Sequence, residues 1–358
     1  MKIAYSKGQT TFDNNKPTII FIHGSGCSKN IWSYQINSLA GYANTIAIDL
    51  PSHGESMIQN INSISEYAKV VFDFINEINP PNPIPCGFSM GGAITLELLI
   101  NYRDLFKFGI LVCTGAKLKV FPQIIDLVQK DYNSYIEMIR LTYNKNEGNW
   151  VDKLIDDIKN CRQDVVFNDF KACDAFDIRD KLNLINTPVL IITAENDILT
   201  PKKYGEFLEK NIENAKRAHI MDSGHFVSLE KPASLTNIIK IFLCSKNNEL
   251  SCAEVFRLSE ELGVSAIDIG KQLDFMKIKI TNCSLGLFGY KPEKKIVKKG
   301  DYIDPEIKEA IASKIINSKI SCQSAWEIAM RFKIPKLSVG NACETLGLRI
   351  SNCQIGAF

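Results

Sequence analysis

Cys86-Gly87-Phe88-Ser89-Met90-Gly91-Gly92 decides how this chain is read. Asn82-Pro83-Ile84-Pro85 leads into it, and a helix-like run, Ala93-Ile94-Thr95-Leu96-Glu97-Leu98-Leu99-Ile100, leads out. The pattern is G-x-S-x-G between a strand and a helix. Ser89 then sits on a sharp, strained turn, with glycines on both sides because a Cβ there would clash. The turn lifts the hydroxyl out of the sheet, and the helix behind it points N–H groups at the same spot. This is a nucleophile site in outline. It needs a base, an acid and oxyanion donors from elsewhere in the chain.

Short apolar runs surround this turn in the sequence. Thr18-Ile19-Ile20-Phe21-Ile22 has the unbroken apolar character of a strand buried on both faces, and it ends at His23-Gly24-Ser25-Gly26. A helix-like stretch follows from about Asn30, with Trp32 and Ile36 on one side. Thr45-Ile46-Ala47-Ile48-Asp49-Leu50 is a second strand, ending in Pro51-Ser52-His53-Gly54-Glu55-Ser56. Ile64, Tyr67, Ala68, Val71, Phe72, Ile75 and Ile78 recur at helical spacing. Further strands are expected at 108–113, at 188–192 before Glu195-Asn196-Asp197, and at 216–221 before Asp222-Ser223-Gly224-His225. Strands alternate with helices, so the fold class is α/β, with a mostly parallel sheet between helical layers. In such sheets the site lies beyond the carboxyl ends of the strands. Ser89, Asp197 and His225 all fall just after a strand.

Residues 117–182 break the alternation and read as several amphipathic helices, too long for a loop, so a helical cap is expected there. Its aromatics, Tyr132, Tyr135, Tyr143, Trp150, Phe167, Phe170 and Phe176, are expected to form mainly the core of the cap. One or two remain available to line a pocket.

At 358 residues and 45% apolar content, the chain can bury a large core and more than one domain. A net charge of +2 favours no particular partner. No apolar run reaches the ~18 residues of a membrane span, and no signal-peptide pattern opens the chain, so no membrane contact and a cytoplasmic location are expected. Eleven cysteines without a C-x-x-C pair read as reduced thiols. Four dispersed histidines give no metal-ligand spacing, and G-x-G-x-x-G is absent; no metal or cofactor is expected.

The order Ser89, Asp197, His225 is the Ser…Asp…His order of α/β-hydrolases. Glu195, two residues from Asp197, is the alternative acid. Residues 1–245 resemble the small esterase, lactonase and C–C hydrolase group of that family. The matching stretches are His23-Gly24-Ser25-Gly26 with Trp32, Asp49 to Ser56, Gly87 to Gly92, Glu195-Asn196-Asp197 with Pro201, and Gly224-His225-Phe226 with Glu230-Lys231-Pro232. The resemblance implies a serine hydrolase acting on a small acyl substrate (ester, thioester or lactone) through an acyl-enzyme. Ser89 is then the nucleophile, His225 the base and Asp197 its partner. It also implies that the backbone N–H groups of Ser25 and Met90 form the oxyanion hole. His23 is expected to brace its loop, and His53 mainly to shape its turn.

Residues 246–358 are something else, a small duplicated, mainly helical domain with repeats at 251–289 and 321–358. Ser251-Cys252 recurs as Ser321-Cys322, 70 residues further on. At the same offset Phe256 meets Trp326, Gly270 meets Gly340, Cys283 meets Cys353, and Phe288 meets Phe358. Each copy reads helix, turn, helix, strand, and resembles a helix-turn-helix with a small wing; Ser265 is an expected N-cap. A basic linker, Lys291 to Gly300, joins the copies. With 17 Lys+Arg against 13 Asp+Glu, this tail is only mildly basic. Binding of DNA or a protein partner, packing and dimerisation stay open as its role. Lys271 and Gln272 have only Asn341 as a counterpart, which argues against a shared base-reading code. The repeated cysteines, Cys252, Cys283, Cys322 and Cys353, are expected to be small buried apolar residues, with a thiolate metal or redox site as the alternative. A regulator that senses a small ligand and binds DNA or a protein is the rival to the enzyme reading.

Overall fold

The computed structural model describes residues 2–143 and 149–358, which form two compact units divided between Lys240 and Ile241. The first opens with β1 (Tyr5–Lys7), a three-residue strand that no apolar run marks in the sequence. The continuous apolar runs become strands buried along their whole length. These are β2 (Thr18–Ile22) and, after α1 (Ser33–Ser38), β3 (Asn44–Ile48). Burial of each such Ile or Phe contributes about 1.5–3 kcal/mol, which favours a strand covered on both faces. Next comes α2 (Ile64–Ile78), started by Ser63, whose hydroxyl accepts from the Glu66 N–H, and ended by Asn79 in the left-handed region. β4 (Pro83–Phe88), α3 (Met90–Asn101) and β5 (Gly109–Val112) follow.

Among the described residues, four α-helices lie in the interval before the next strand: α4 (Pro122–Lys130), α5 (Tyr132–Tyr143), α6 (Trp150–Asn160) and α7 (Gln163–Ala175); a short 3-10 turn at Arg179–Leu184 follows them. They occupy the expected cap, of which residues 144–148 lie outside the described residues. β6 (Val189–Ala194), α8 (Lys202–Asn211), β7 (Ala215–Ile220), the short α9 (Val227–Glu230) and α10 (Pro232–Cys244) complete the alternation. The seven strands form one sheet in the order β1-β3-β2-β4-β5-β6-β7. Only β1 runs antiparallel to its neighbour. β4 is central, so the turn that follows it opens at the middle of the carboxyl edge of the sheet. No helix of the described residues is long and apolar enough to cross a membrane.

The second unit contains β8 (Glu249–Ser251), α11 (Cys252–Leu262), α12 (Ala266–Phe275) and β9 (Lys279–Thr281). After α13 (Pro305–Ala312) the pattern recurs as β10 (Lys319–Ser321), α14 (Cys322–Arg331), α15 (Lys336–Thr345) and β11 (Arg349–Ser351). Each copy thus carries a strand before its first helix that the sequence pattern omits, because three residues are too few to show a period. That strand pairs in parallel with the last one of the copy, so the last is not a free wing. Ser265 caps α12 by accepting the Asp268 N–H, and Ser251 with Glu254 forms a capping box on α11. The copies pack reciprocally. Phe256 lies 4.2 Å from Trp326 and Phe288 5.9 Å from Phe358, ring centre to ring centre. The Cα of Gly270 approaches the Ile355 carbonyl, and that of Gly340 the Leu285 carbonyl, too closely for any Cβ. Asn341 accepts the Lys298 N–H and so holds the basic linker against α15.

Candidate active site

Ser89 has φ +53° and ψ −115°, a strained conformation for a residue with a Cβ. The turn closes this tightly because of its glycines. A Cβ on Gly87 would lie 1.9 Å from the Gly91 carbonyl, and one on Gly91 2.3 Å from the Ile22 carbonyl. The Ser89 N–H donates to the Val112 carbonyl at 3.0 Å, and the Thr114 hydroxyl donates to the Ser89 carbonyl at 2.8 Å. Ser89 is the N-cap of α3, yet its hydroxyl makes no capping bond. It faces His225 Nε2 instead, 3.0 Å away.

His225 Nδ1 is 2.9 Å from Asp197 Oδ2. The Asp197 carboxylate also accepts the Leu199 and Thr200 N–H groups at 2.9 and 2.8 Å and the Thr200 hydroxyl at 2.7 Å. Burial alone would raise its pKa, but His225 and these donors outweigh burial and hold it below the usual carboxylate range. Glu195 is exposed and accepts the Asp222 N–H, away from His225. The His225 turn is held by Glu230, whose carboxylate accepts the N–H groups on either side, those of Gly224 and Phe226. Phe88 lies 4.8 Å from the His225 ring and limits its rotation. Tyr143 of the cap packs on Phe226 at 5.1 Å and on Trp150 at 5.9 Å, whereas Tyr132, Tyr135 and Phe170 pack on one another.

Met90 is the first residue of α3, where an amide has no intrahelical acceptor. The Ser25 hydroxyl donates to Met90 Sδ at 3.4 Å, so the two residues expected to supply the oxyanion donors touch through their side chains. His23 is fully buried. Its Nε2 accepts the Leu50 N–H at 2.9 Å, so Nδ1 carries the proton and donates to the Gly24 carbonyl at 2.8 Å. Burial, helped by the nearby His53, lowers its pKa to about 3, so the ring is neutral.

The cap clamps the Ser25 loop with two aspartates that sequence reading did not single out. Asp157 of α6 accepts the Ser28 N–H at 2.6 Å. Asp169 of α7, fully buried, accepts the Gly26 N–H at 3.1 Å, the Tyr67 hydroxyl at 2.8 Å and His53 Nε2 at 2.9 Å. His53 Nδ1 donates to the Pro51 carbonyl. Burial would strip the proton from His53, but Asp169 more than offsets this and holds its pKa well above the imidazole range. His53 is therefore a buried cation that ties its turn to the cap. The signal for Asp169 was present in the sequence: it shares the apolar stripe of Val165, Val166, Ala172 and Cys173. Cys113, at φ +46° after β5, is a further neighbour of Asp197 that no motif announced. His219, in β7, bonds Thr193 at 2.9 Å.

A seven-stranded sheet with one antiparallel edge, a strained serine after its central strand and a helical cap define an α/β-hydrolase. The alpha/beta hydrolase family model matches residues 19–237, more than half of the chain, and the chain belongs to that family. The 3-oxoadipate enol-lactonase 1 of Acinetobacter baylyi is 24% identical, over 64% of this chain and 90% of its own length. The pimeloyl-[acyl-carrier protein] methyl ester esterase of Wigglesworthia glossinidia brevipalpis is 25% identical, over 63% of this chain and 93% of its own. Among solved structures, a lipase-esterase related protein from Clostridium acetobutylicum superposes with a TM-score of 0.58 at 27% identity, covering 67% of this chain and 99% of that one. The chain is an α/β-hydrolase enzyme, similar to esterases and an enol-lactonase over its first two-thirds.

Proposed function

We propose that the chain hydrolyses a small ester, thioester or lactone through an acyl-enzyme on Ser89. The observation that carries the reading is the continuous contact from Ser89 Oγ to His225 Nε2, 3.0 Å, and from His225 Nδ1 to Asp197, 2.9 Å. In this reading His225 takes the Ser89 proton as Oγ attacks the acyl carbonyl, and Asp197 stabilises the imidazolium that forms. The Met90 and Ser25 N–H groups receive the developing oxyanion; one such donor is worth about 3 kcal/mol of transition-state stabilisation. His225 returns its proton to the departing alkoxide or thiolate. A water then repeats the sequence on the acyl-enzyme. The relatives named for an enol-lactone and a methyl ester place lactones and methyl esters first among substrates to try.

A panel of short-chain p-nitrophenyl esters, methyl esters, thioesters and lactones, assayed on wild type and Ser89→Ala, tests the reading. At least one class is expected to turn over, with a loss of about 10⁴-fold or more in kcat for Ser89→Ala. Turnover that survives the substitution removes Ser89 from the mechanism.

A further inference from the structure

The tail carries five cysteines for which the hydrolase chemistry has no use, and four of them, Cys252, Cys283, Cys322 and Cys353, recur in the repeat. Parallel pairing sets Ser321 opposite Ser351. Cys322, the first residue of α14, and Cys353, two residues past Ser351, therefore emerge side by side. Their thiols are near enough to influence one another. The pairing of Ser251 with Thr281 brings Cys252 and Cys283 together in the same way. The surrounding contacts are duplicated as well. The Ser284 hydroxyl donates to Cys252 Sγ at 3.5 Å, and the Gln354 side-chain amide donates to Cys322 Sγ at 3.5 Å.

Cys353 differs from a cysteine used as apolar filling. The backbone N–H groups of Ile355, Gly356 and Ala357 lie around its sulfur, beside the Cys322 thiol. The turn that aims these amides is closed by the Gly356 N–H on the Cys353 carbonyl, 3.0 Å, with Gly356 at φ +86°. A nest of amides around sulfur stabilises a thiolate, and so does the N-terminus of α14, where Cys322 stands. The neighbouring Cys322 thiol and the amides together outweigh partial burial and lower the Cys353 pKa. Cys353 is half-buried, whereas Cys252, Cys283 and Cys322 are buried. No group of three His, Cys, Asp or Glu among the described residues could hold a metal ion. A two-sulfur site with one reachable thiolate fits thiol–disulfide chemistry.

We propose that Cys353 and Cys322 form a thiol–disulfide exchange site that takes a small disulfide as its oxidant. The Cys353 thiolate attacks one sulfur of the small disulfide. A Cys353 mixed disulfide forms, and the first small thiolate leaves. Cys322 gives up its proton and attacks the Cys353 sulfur, closing the Cys322–Cys353 bond and expelling the second thiolate. The two thiolates released take up the Cys322 proton and one from solution. The cysteine pair loses two electrons and the small disulfide gains them. Cys252 and Cys283 have the same arrangement but lie buried, and burial raises the Cys283 pKa. That pair stays reduced.

The full chain is incubated with glutathione disulfide and its cysteines are mapped by peptide mass spectrometry. A Cys322–Cys353 link is expected, reversible by excess thiol, with Cys252 and Cys283 unmodified. Cys322→Ser is expected to stop at a glutathione adduct on Cys353. Iodoacetamide at pH 6 is expected to alkylate Cys353 at least about tenfold faster than Cys283. An unmodified Cys353 in the wild type, or a stable adduct on Cys353 with no link to Cys322, overturns the proposal. Both of these outcomes are read on the wild type and do not depend on a variant folding.

Discussion

The Asp169 carboxylate, on a cap helix, accepts the N–H of Gly26 at 3.1 Å, one residue from Ser25. The cap is thus bonded to the loop expected to bind the oxyanion. Asp169→Asn removes the carboxylate that keeps the proton on buried His53 and weakens the hold on Gly26. Breaking a buried pair costs about 3–5 kcal/mol, part of which appears as loop disorder. In steady-state kinetics on a responsive ester, kcat is expected to fall about 10- to 100-fold with KM changed far less. A rise in KM at unchanged kcat would mean that Asp169 serves substrate binding and not the oxyanion loop.

His23 and His53 have ring centres 4.9 Å apart but are pushed in opposite directions. The folded-state pKa of His23 is about 3, below the unfolded value of 6.5, so the unfolded chain binds the extra proton between those values. Its contribution is complete above pH 6.5 and is lost as pH falls towards 3, by about 1.4 kcal/mol per unit. His53 has the opposite sign: its contribution is complete below pH 6.5 and fades as pH rises through its elevated value. Urea unfolding at pH 7 and pH 5 compares wild type with His23→Asn. The wild type is expected to lose about 2 kcal/mol more than the variant. Equal losses would show that His23 is protonated in the folded chain.

At the turn itself, Gly87→Ala puts a Cβ 1.9 Å from the Gly91 carbonyl, and the neighbour is backbone that cannot swing away. A loss of about 4 kcal/mol or more in thermal unfolding of the first unit is expected. A variant as stable as wild type would show that the strained turn relaxes freely.

In the tail, Gly270 and Gly340 are exchanged by the repeat and face the carbonyls of Ile355 and Leu285. Gly270→Ala and Gly340→Ala are therefore expected to destabilise the second unit to a similar degree, each by about 2–4 kcal/mol. Calorimetry of the full chain reads the effect. A large effect from only one substitution contradicts reciprocal packing.

Much of this was legible in the sequence. The buried strands of a parallel sheet are continuous apolar runs, so β2 and β3 could be read directly, and G-x-S-x-G marked the turn because only glycine fits at Gly87 and Gly91. What stayed hidden depends on tertiary pairing. β1 and β8 are three residues long and exist through their partners. Asp169 shows in the sequence only as a charge on an apolar stripe; its partners Gly26, Tyr67 and His53 come from distant segments that only the fold brings to it. The repeat placed the tail cysteines about 30 residues apart in sequence, and only the parallel strand pairing makes them neighbours.

The central claim is that Ser89 is the nucleophile. A fluorophosphonate probe reacts with a serine only when a base removes its proton as it attacks. Intact-mass and peptide analysis of the labelled chain is expected to show one adduct, on the peptide containing Ser89. The adduct is expected to be lost in Ser89→Ala and strongly slowed in His225→Ala. An adduct that persists in Ser89→Ala, or a wild-type chain that never labels, contradicts the account.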